Sequence, residues 1–317
     1  MNYVVFDLEW NQCPYGKNRE IKRLPFEIIE IGAIKLNKDR EYVDRFHKII
    51  KPVVYPKLHF RTQEIVHMTA EELKQGALFP DAVREFLAWA GPDSLFCTWG
   101  TIDLVELQRN MKYYGLLSLL KGPFHYYDVQ KLFAVSYEDM KSRRSLEYGI
   151  DYLKLEKKLD FHRALSDAWY TAEIFQKIDM DVVLAYDSID VYQNPRTKKD
   201  EIHAVYNGYS KFISREFDSK EEAMADREVL ATHCCRCGKN ARKKLRWFSA
   251  NAKNYYSIAV CPVHGYIKGK IRMKRTDEGK IYVVKTIKVS SEREAEEIRS
   301  KKEELREKRR KKRHEMV

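Results

Sequence analysis

Short apolar runs and helical spacings alternate along the first 180 residues of the chain. Three early runs of apolar and β-branched residues predict strands at 3–8, 27–36 and 42–50. Because no helical pattern separates these runs, they predict an antiparallel start. A buried strand is predicted at 94–98, and apolar residues at helical spacing predict helices at 80–89, 101–114, 145–153 and 164–178. This order predicts an α/β fold with a mixed sheet flanked by helices.

The pattern changes beyond residue 179, where charged and polar residues replace the apolar periodicity. We predict one domain over 1–180 and a connector over 181–230. Four further strands, separated by Cys, Gly, Asn and Asp, are predicted at 245–248, 255–260, 266–273 and 280–289. They predict a small β-rich domain over 231–290. Residues 291–317 are almost wholly charged and predict a helix that ends in a basic tail.

The net charge of +12 comes from the second part of the chain. Residues 1–180 hold 26 Lys and Arg against 26 Asp and Glu, whereas residues 231–290 hold 15 basic residues against only Asp277 and Glu278. A cationic segment beside a neutral domain indicates a polyanionic partner, most simply nucleic acid. The alternative is a solvated surface, although dispersed surface charge is usually mixed in sign.

Composition excludes several classes of protein. With 44% hydrophobic, 12% aromatic and 33% charged residues, the chain differs from disordered, collagen-like and disulfide-rich proteins. No apolar run approaches the roughly 18–20 residues of a membrane span, and residues 1–10 contain two acids where a signal peptide needs basic and apolar residues. Six cysteines are too few for a disulfide framework, which favours a reducing compartment. We therefore expect a cytoplasmic protein with no membrane partner.

Two carboxylates stand at the end of the first predicted strand. Side chains alternate along a strand, so Asp7 and Glu9 project from the same face. Two adjacent anions repel unless a cation neutralises them, and hard oxygen ligands favour Mg²⁺ or Mn²⁺. The alternative is a pair of solvated acids on an edge strand, which is common for an isolated acid-x-acid pair.

Two further acids and a histidine lie where predicted strands end and helices begin. Asp103 falls in the first turn of a helix that directly follows a buried strand, and His162 comes just before a helix that carries Asp167. Functional sites collect at such positions in α/β folds. Together with Asp7 and Glu9, these residues predict one acidic site with a histidine at its rim.

The three motifs that carry these residues resemble the DEDDh group of 3′–5′ exonucleases. In chain order they are Phe6-Asp7-Leu8-Glu9-Trp10, Thr98-Trp99-Gly100-Thr101-Ile102-Asp103 and His162-Arg163-Ala164-Leu165-Ser166-Asp167-Ala168. The resemblance covers roughly residues 1–180, and segments 25–33 and 46–52 resemble the Eri-type branch of this group. It implies a ribonuclease-H-like fold and the removal of nucleotides from a free 3′ end. Because Eri-type members trim RNA, it also implies RNA as the preferred substrate.

The resemblance implies a role for each site residue. Asp7 would bridge two catalytic Mg²⁺ or Mn²⁺ ions, Glu9 and Asp167 would complete the ligands of one ion, and Asp103 would act on the other largely through water. His162 would be the general base, since imidazole titrates close enough to neutrality to accept a proton. Two alternatives stay open: an exonuclease of single-stranded DNA, and a non-catalytic nucleic-acid-binding adaptor on the same fold.

Five residues near the motifs are predicted to contact the substrate: Leu8, Trp10, Met68, Thr69 and Trp99. Leu8 and Trp10 flank the second acid, where they would stack against the terminal base. A place in the hydrophobic core is an equal alternative for Trp10. Met68 and Thr69 stand in a Met-Thr-Ala sequence, where relatives often carry Thr-Gly-Ile near the terminal nucleotide. This departure bears on the discrimination between ribose and deoxyribose.

A second ligand set lies in the β-rich segment. It consists of two pairs with two residues between their members, namely Cys234 with Cys237 and Cys261 with His264. This is a zinc-ribbon spacing, and four protein ligands leave no open position, so we predict one structural Zn²⁺. Cys235 is the less favoured alternative to Cys234, because only one residue would separate it from Cys237. Cys13 and Cys97 are predicted to be ordinary buried thiols.

Basic and aromatic residues interleave around these ligands, at 242–248, 255–256 and 268–275. Basic groups neutralise phosphates and aromatic rings offer stacking faces, which is typical of a platform for single-stranded nucleic acid. The alternative is that Trp247, Phe248 and Tyr256 form the small core of the ribbon.

Overall fold

The computed structural model describes residues 1–66, 68–139 and 142–314 and divides the chain into two compact units, Met1–Gln193 and Asn194–Val317. This division differs from the predicted boundary near residue 180, because a short helix and a strand beyond that residue belong to the first unit. The last three residues of the predicted basic tail lie outside the described residues.

A mixed sheet forms the centre of the first unit. Its strands in chain order are β1 (Asn2–Gln12), β2 (Phe26–Leu36), β3 (Tyr42–Ile49), β4 (Ser94–Thr98), β5 (Phe124–Asp128) and β6 (Ser188–Asp190). They lie in the order β3-β2-β1-β4-β5-β6. The first three strands are antiparallel neighbours, β4 is parallel to β1 and to β5, and β6 is antiparallel to β5. The predicted mixed sheet with its antiparallel start is confirmed.

Helices pack on both faces of this sheet. Those of the described first unit are α1 (Phe60–Ile65), α2 (Ala70–Gln75), α3 (Phe79–Ala90), α4 (Ile102–Tyr113), α5 (Val129–Tyr137), α6 (Leu146–Tyr152), α7 (Ala164–Lys177) and α8 (Met180–Ala185). The four helices predicted from apolar spacing correspond to α3, α4, α6 and α7. The predicted α/β architecture is therefore confirmed.

The alternation of side chains along β1 separates two hydrophobic cores. Val4, Phe6 and Leu8 pack in a core that includes residues of α3 and α4. Tyr3 and Val5 point to the other face, where they pack with residues of α5 and α7. The next two residues on the α7 face are both acids, so the core on this side gives way to a charged site at the end of β1.

Gly32 of β2 lies in very close contact with the first turn of α7. A Cβ atom placed on Gly32 would lie 2.0 Å from the backbone nitrogen of Leu165 and 2.2 Å from the carbonyl carbon of Ala164. Such distances are far inside van der Waals contact, so only glycine allows the helix backbone to approach the strand this closely. This contact fixes the start of α7 over the acidic end of β1.

An antiparallel sheet forms the second unit. Its strands are β7 (Ile202–Tyr206), β8 (Tyr209–Ile213), β9 (Arg242–Ser249), β10 (Asn254–Cys261), β11 (Gly265–Arg275) and β12 (Ile281–Val289), in the order β7-β8-β12-β11-β10-β9. The helices here are α9 (Lys220–Ala225), α10 (Arg227–Leu230) and α11 (Glu292–His314). The four strands and the charged helix predicted for this region are confirmed. Among the described residues, no helix is both long and apolar enough to cross a membrane.

The predicted connector over 181–230 is instead largely structured. Strand β6 pairs with β5, and β8 pairs with β12, so this segment contributes to both sheets. The missed signal is Asn207-Gly208 between two short alternating runs, which is a strong indicator of a two-residue hairpin turn. Gly208 has φ 93°, as such a turn requires.

The aromatic residues of the β-rich segment divide between the two faces of this sheet. Trp247 belongs to the core, where its Nε1 donates to the Leu230 carbonyl at 3.1 Å. Phe248 and Tyr256 lie on the opposite face, partly buried beside α11. The core alternative is therefore correct for Trp247. Phe248 and Tyr256 also pack against a small buried cluster, which Ile258 forms with Ala295 and Ile298 of α11.

Gly32→Ala should destabilise the protein strongly, because the added methyl group displaces the first turn of α7. We expect a loss of about 3 kcal/mol in the free energy of unfolding, measured by urea denaturation. Gly115→Ala is the control, since Gly115 has φ 71° and nothing within 4 Å of the added atom. That variant should cost about 1 kcal/mol. Equal losses in the two variants would contradict the close contact.

Candidate functional site

The acidic site begins at the end of β1. In the register of β1 with β2, Asp7 lies opposite Gly32, and Glu9 lies opposite Glu30. A register shift between Glu9 and Trp10 interrupts the regular pairing directly after the second acid. Asp7 and Glu9 thus share the face that α7 covers, as the sequence predicts.

Asp103 reaches the same site from α4. It lies in the first turn of this helix and is buried. The nearby backbone N–H groups of Asp103 and Leu8 act to lower the pKa of this carboxyl, although its burial acts more strongly in the other direction. The parallel pairing of β4 with β1 explains this position, because β4 leads directly into α4 beside the end of β1.

Asp167 and His162 enter the site from α7 and the segment before it. Asp167 lies in the first turn of α7, and its Oδ2 accepts a hydrogen bond of 3.3 Å from the backbone N–H of His162. Ligand atoms of Glu9, His162 and Asp167 all lie within 4.8 Å of one another. His162 is exposed and has a left-handed backbone conformation with φ 60°. All five predicted catalytic residues are therefore brought to one end of the sheet.

The crowding of carboxyl groups shifts their pKa values upward. Burial raises the pKa of Asp7 well above its usual value, and the neighbouring Asp103 and Glu9 raise it further. Burial also raises the pKa of Glu9 to about 8 and that of Asp103 to about 7. The pKa of Asp167 rises to about 6, again chiefly through burial. In the folded protein, these carboxyl groups therefore do not all ionise near neutral pH unless a positive charge lies beside them.

The donor set suits hard divalent cations. The site offers carboxylate oxygens from three different elements, which are the ligands that Mg²⁺ and Mn²⁺ prefer. Oδ1 of Asp167 is buried and has no hydrogen-bond partner among the described residues. A buried carboxylate oxygen without a donor is costly unless a cation lies beside it. The residues present thus fit the metal that the acidic motifs predict.

A fifth acid, Glu30, anchors the start of α7 and is missed by the sequence analysis. Its fully buried carboxylate accepts hydrogen bonds from Nε2 of His47 at 2.6 Å, Nε of Arg163 at 3.2 Å and the backbone N–H of Ala164 at 3.0 Å. Burial would raise the pKa of Glu30, but these donors lower it below its usual value. Glu30 is thus the ionised acid that holds α7, whereas the other acids face one another.

Three of the predicted substrate contacts lie inside the fold. Leu8 is only 3% exposed and packs in the core on the face of β1 opposite to Asp7, so the predicted stacking of its side chain on a base is wrong. Met68 is 8% exposed and packs with Ile29. Trp10 is half-buried and packs against Phe26, with 5.7 Å between ring centroids, as its core alternative predicts.

The other two predicted contacts have structural partners. The Thr69 side chain accepts a hydrogen bond from the backbone N–H of Glu72 and so caps α2. Nε1 of Trp99 donates to the Arg144 carbonyl at 3.0 Å, and its ring packs against Phe133. Their roles in substrate binding stay predictions.

The second predicted ligand set also converges. Ligand atoms of Cys234, Cys237, Cys261 and His264 lie within 4.8 Å of one another. The Cys234 Sγ lies 3.4 Å from Nδ1 of His264, and the Cys237 Sγ lies 3.7 Å from the Cys261 Sγ. Three thiols and one imidazole at these separations match the donor chemistry of a closed tetrahedral zinc site.

Cys235 points away from this cluster. Its Sγ donates to the Gly208 carbonyl at 3.4 Å, and the side chain is buried. The preference for Cys234 over Cys235 therefore agrees with the geometry. Cys13 and Cys97 are buried free thiols in the first unit, as predicted.

The first unit is a mixed sheet with four acids gathered at the end of β1. Residues 4–175 match the model of the RNase T exonuclease family. The match spans more than half of the chain, so the protein belongs to this family. It is a 3′–5′ exonuclease of the DEDDh type and acts on nucleic acid. The second unit lies beyond the matched residues.

Known proteins share the first unit at modest identity. The chain is 27% identical over 188 residues to the probable 3′–5′ exonuclease KapD of Bacillus subtilis, covering 56% of this chain and 84% of KapD. It is 28% identical over 179 residues to a PolC-type DNA polymerase III of Caldanaerobacter subterraneus, covering 56% of this chain and 11% of the polymerase. The structure of the nuclease domain of 3′hExo, a DEDDh family member bound to rAMP, superposes with a TM-score of 0.48. It has 20% identity and covers 60% of this chain and 96% of that domain.

Protein freed of magnesium and manganese should become less stable as the pH rises from 5 to 8. Above the ordinary carboxyl pKa values of 3.8 and 4.5 the unfolded chain has released protons that the folded site keeps, up to the pKa of about 8 of Glu9. Folding stability therefore falls with pH, on the order of 2 kcal/mol.

Urea denaturation at pH 5, 6.5 and 8 measures this fall, and added Mg²⁺ or Mn²⁺ should remove most of it. Asp7→Asn should show a shallower fall, because one of the repelling charges is gone. A metal-free profile that is flat with pH, or as steep in Asp7→Asn as in the unaltered protein, would contradict the mutual repulsion of these acids.

Proposed function

We propose that this protein is an exonuclease of the Eri-type branch that trims the 3′ ends of single-stranded RNA with the help of two divalent cations. The observation that carries the proposal is the convergence of Asp7, Glu9, Asp103 and Asp167 with His162 at their rim. The preference for RNA rests on the likeness of segments 25–33 and 46–52 to the Eri-type branch.

In the proposed mechanism the four acids would hold two cations. The resemblance to the DEDDh group implies that Asp7 would serve both ions, Glu9 and Asp167 would serve one, and Asp103 would act on the other largely through water. Burial and the neighbouring acids raise the pKa of Asp7, so nearby positive charge would favour its ionised form. When bound, the cations supply the positive charge that stabilises the transition state and the leaving 3′ oxygen.

His162 accepts the proton of the attacking water in this mechanism. Its side chain is exposed, yet a ring nitrogen lies within 4.8 Å of ligand atoms of Glu9 and Asp167. An exposed imidazole can accept a proton and pass it to solvent. Glu30 supports this arrangement by fixing Ala164, two residues beyond the histidine.

Single-stranded DNA is the second candidate substrate. The observation that favours it is the 28% identity to PolC-type DNA polymerase III, whose matched part is 11% of that protein. The two candidates use the same hydrolytic chemistry and differ only in the contact with the sugar. The completeness of the acidic set argues against the non-catalytic adaptor.

We also propose that Cys234, Cys237, Cys261 and His264 hold one structural zinc ion. Cys234 and Cys237 lie between α10 and β9, Cys261 ends β10, and His264 lies in the turn that joins β10 to β11. Glycines with positive φ directly follow both pairs, Gly238 at 68° and Gly265 at 72°. Four protein ligands leave no position for substrate, so the ion stabilises the fold of this unit.

Paired digestions test the exonuclease proposal. Matched RNA and DNA 20-mers labelled at the 5′ end should be shortened from the 3′ end only when Mg²⁺ or Mn²⁺ is added, with RNA degraded faster. Asp7→Ala and Asp167→Ala should each lower the rate about 10³-fold, because each removes ligands of the cations. Asp39→Ala, an exposed acid on a turn, is the matched control and should keep the full rate.

A rate close to that of the unaltered protein in both site variants would refute the assignment of these acids. Equal or faster degradation of DNA would refute the RNA preference while leaving the exonuclease intact. Shortening from the 5′ end would contradict the proposal altogether.

Elemental analysis tests the zinc proposal. We expect about one zinc per chain. Cys237→Ser should lose the metal and unfold the second unit at lower urea concentration, because the binding free energy contributes to folding. Cys235→Ser is the matched control and should keep the zinc, since its thiol lies on the Gly208 carbonyl. A folded protein without metal would contradict the site.

A further inference from the structure

Strand β11 presents a row of cations on one face of the second sheet. Its alternate residues Ile271 and Met273 are buried in the core with α9 and α10. Lys270 and Arg272 point to the opposite face and are exposed. Strands β9 to β12 contain no Asp or Glu. The strands themselves therefore provide no carboxylate to neutralise this row.

Helix α11 lies along the same face, over the hairpin of β9 and β10. Ala295 and Ile298 pack against Ile258 near its start. Further along, Nζ of Lys301 lies 4.9 Å from the ring centroid of Tyr256, and Arg309 donates to the Ser249 carbonyl at 2.9 Å. The helix therefore runs beside the β11 row and leaves a strip of the sheet between them.

Tyr256 forms the floor of this strip. It is paired with Lys270 in the register of β10 and β11, and Asn254 is paired with Arg272. Two ammonium groups lie near the Tyr256 ring, with Nζ of Lys270 at 6.0 Å and Nζ of Lys301 at 4.9 Å from its centroid. We call Asn254, Tyr256, Lys270, Arg272 and Lys301 the Tyr256 strip.

The charge of the strip is not compensated within the part of the chain that the structure describes. Lys270, Arg272 and Lys301 form no ion pair there. By contrast, Glu294 lies 3.7 Å from Lys268 and 3.2 Å from Lys288, at the other end of the helix contact. The face is thus cationic at the Tyr256 strip, whereas Glu294 neutralises the lysines near the start of α11.

We propose that the Tyr256 strip binds a single-stranded part of the nucleic-acid substrate, away from the end that is cleaved. Cations beside a partly exposed aromatic ring match phosphates that flank an unpaired base. A duplex would hide its base faces from the ring, and an acidic protein would use the cations but not the aromatic floor. The inference rests on the proposed function, since it assigns a second contact to the same substrate.

Point variants test the strip better than a deletion, because removal of residues 231–317 would also break the pairing of β8 with β12. The probe is a single-stranded 20-mer, in RNA and DNA forms, bound to the full chain carrying Asp7→Asn so that it is not degraded. For Lys270→Ala with Arg272→Ala, the slope of log K against log salt should fall by about 1.4 in magnitude, because each lost phosphate contact contributes about 0.7.

Two comparison variants complete the binding experiment. Lys198→Ala with Lys199→Ala removes the same charge from exposed positions of the second unit outside the predicted platform and should leave the slope unchanged. Tyr256→Leu keeps an apolar side chain under α11 and should weaken binding about tenfold without changing the slope, because stacking carries no charge. An unchanged slope in the first pair, an equal fall in the Lys198 and Lys199 pair, or equal competition by poly-glutamate would overturn the proposal.

The same variants without Asp7→Asn separate this inference from the exonuclease proposal. Release of nucleotides from a trinucleotide should be unaffected, since so short a substrate needs only the acidic site. If the unaltered protein releases no nucleotides from the trinucleotide, the exonuclease proposal fails. The salt slope of binding still tests the role of the Tyr256 strip in that case. If the strip variants lose trinucleotide release, their effect lies in the first unit and the inference is overturned.

Discussion

The active end of this protein depends on one close contact, between the backbone of α7 and Gly32 of β2. The contact admits no Cβ atom, and it brings the first turn of the helix over the strand that carries Asp7 and Glu9. Glu30 completes it by accepting hydrogen bonds from Arg163 and from the backbone of Ala164. Asp167 is thus placed by the close contact of the α7 backbone with Gly32 and by the ion pair of Glu30 with Arg163. The sequence of α7 alone would not place it there.

This arrangement has an electrostatic cost that the protein does not relieve by itself. Burial and mutual repulsion raise the pKa values of Asp7, Glu9, Asp103 and Asp167, and among the described residues Asp167 keeps one oxygen without a donor. Glu30 lies opposite Glu9 in the register of β1 and β2. It accepts hydrogen bonds from three residues, and they lower its pKa below the usual value, so it is ionised. Glu30 is therefore an acid that supports the fold, whereas the four site acids are suited to bind a cation.

The sequence predicts the sheet, the main helices and the five site residues because each depends on periodicity or on motif order. Other features depend on tertiary contacts. Glu30 resembles any polar residue of a strand until Arg163 and His47 surround it. The burial of Leu8 could have been predicted, since the alternation that pairs Asp7 with Glu9 also turns Leu8 to the opposite core. The hairpin at Asn207-Gly208 lies in a segment whose many charged residues obscure its two short alternating runs.

The pairing of β8 with β12 has a consequence for how the chain acquires its shape during synthesis. The hairpin of β7 and β8 emerges from the ribosome early, but its outer hydrogen-bonding edge has no partner until residues 284–288 have been made. Contacts so distant along the chain form slowly, and an open strand edge invites pairing with other molecules. The interval before β12 arrives is therefore a period in which this nascent protein is exposed to aggregation.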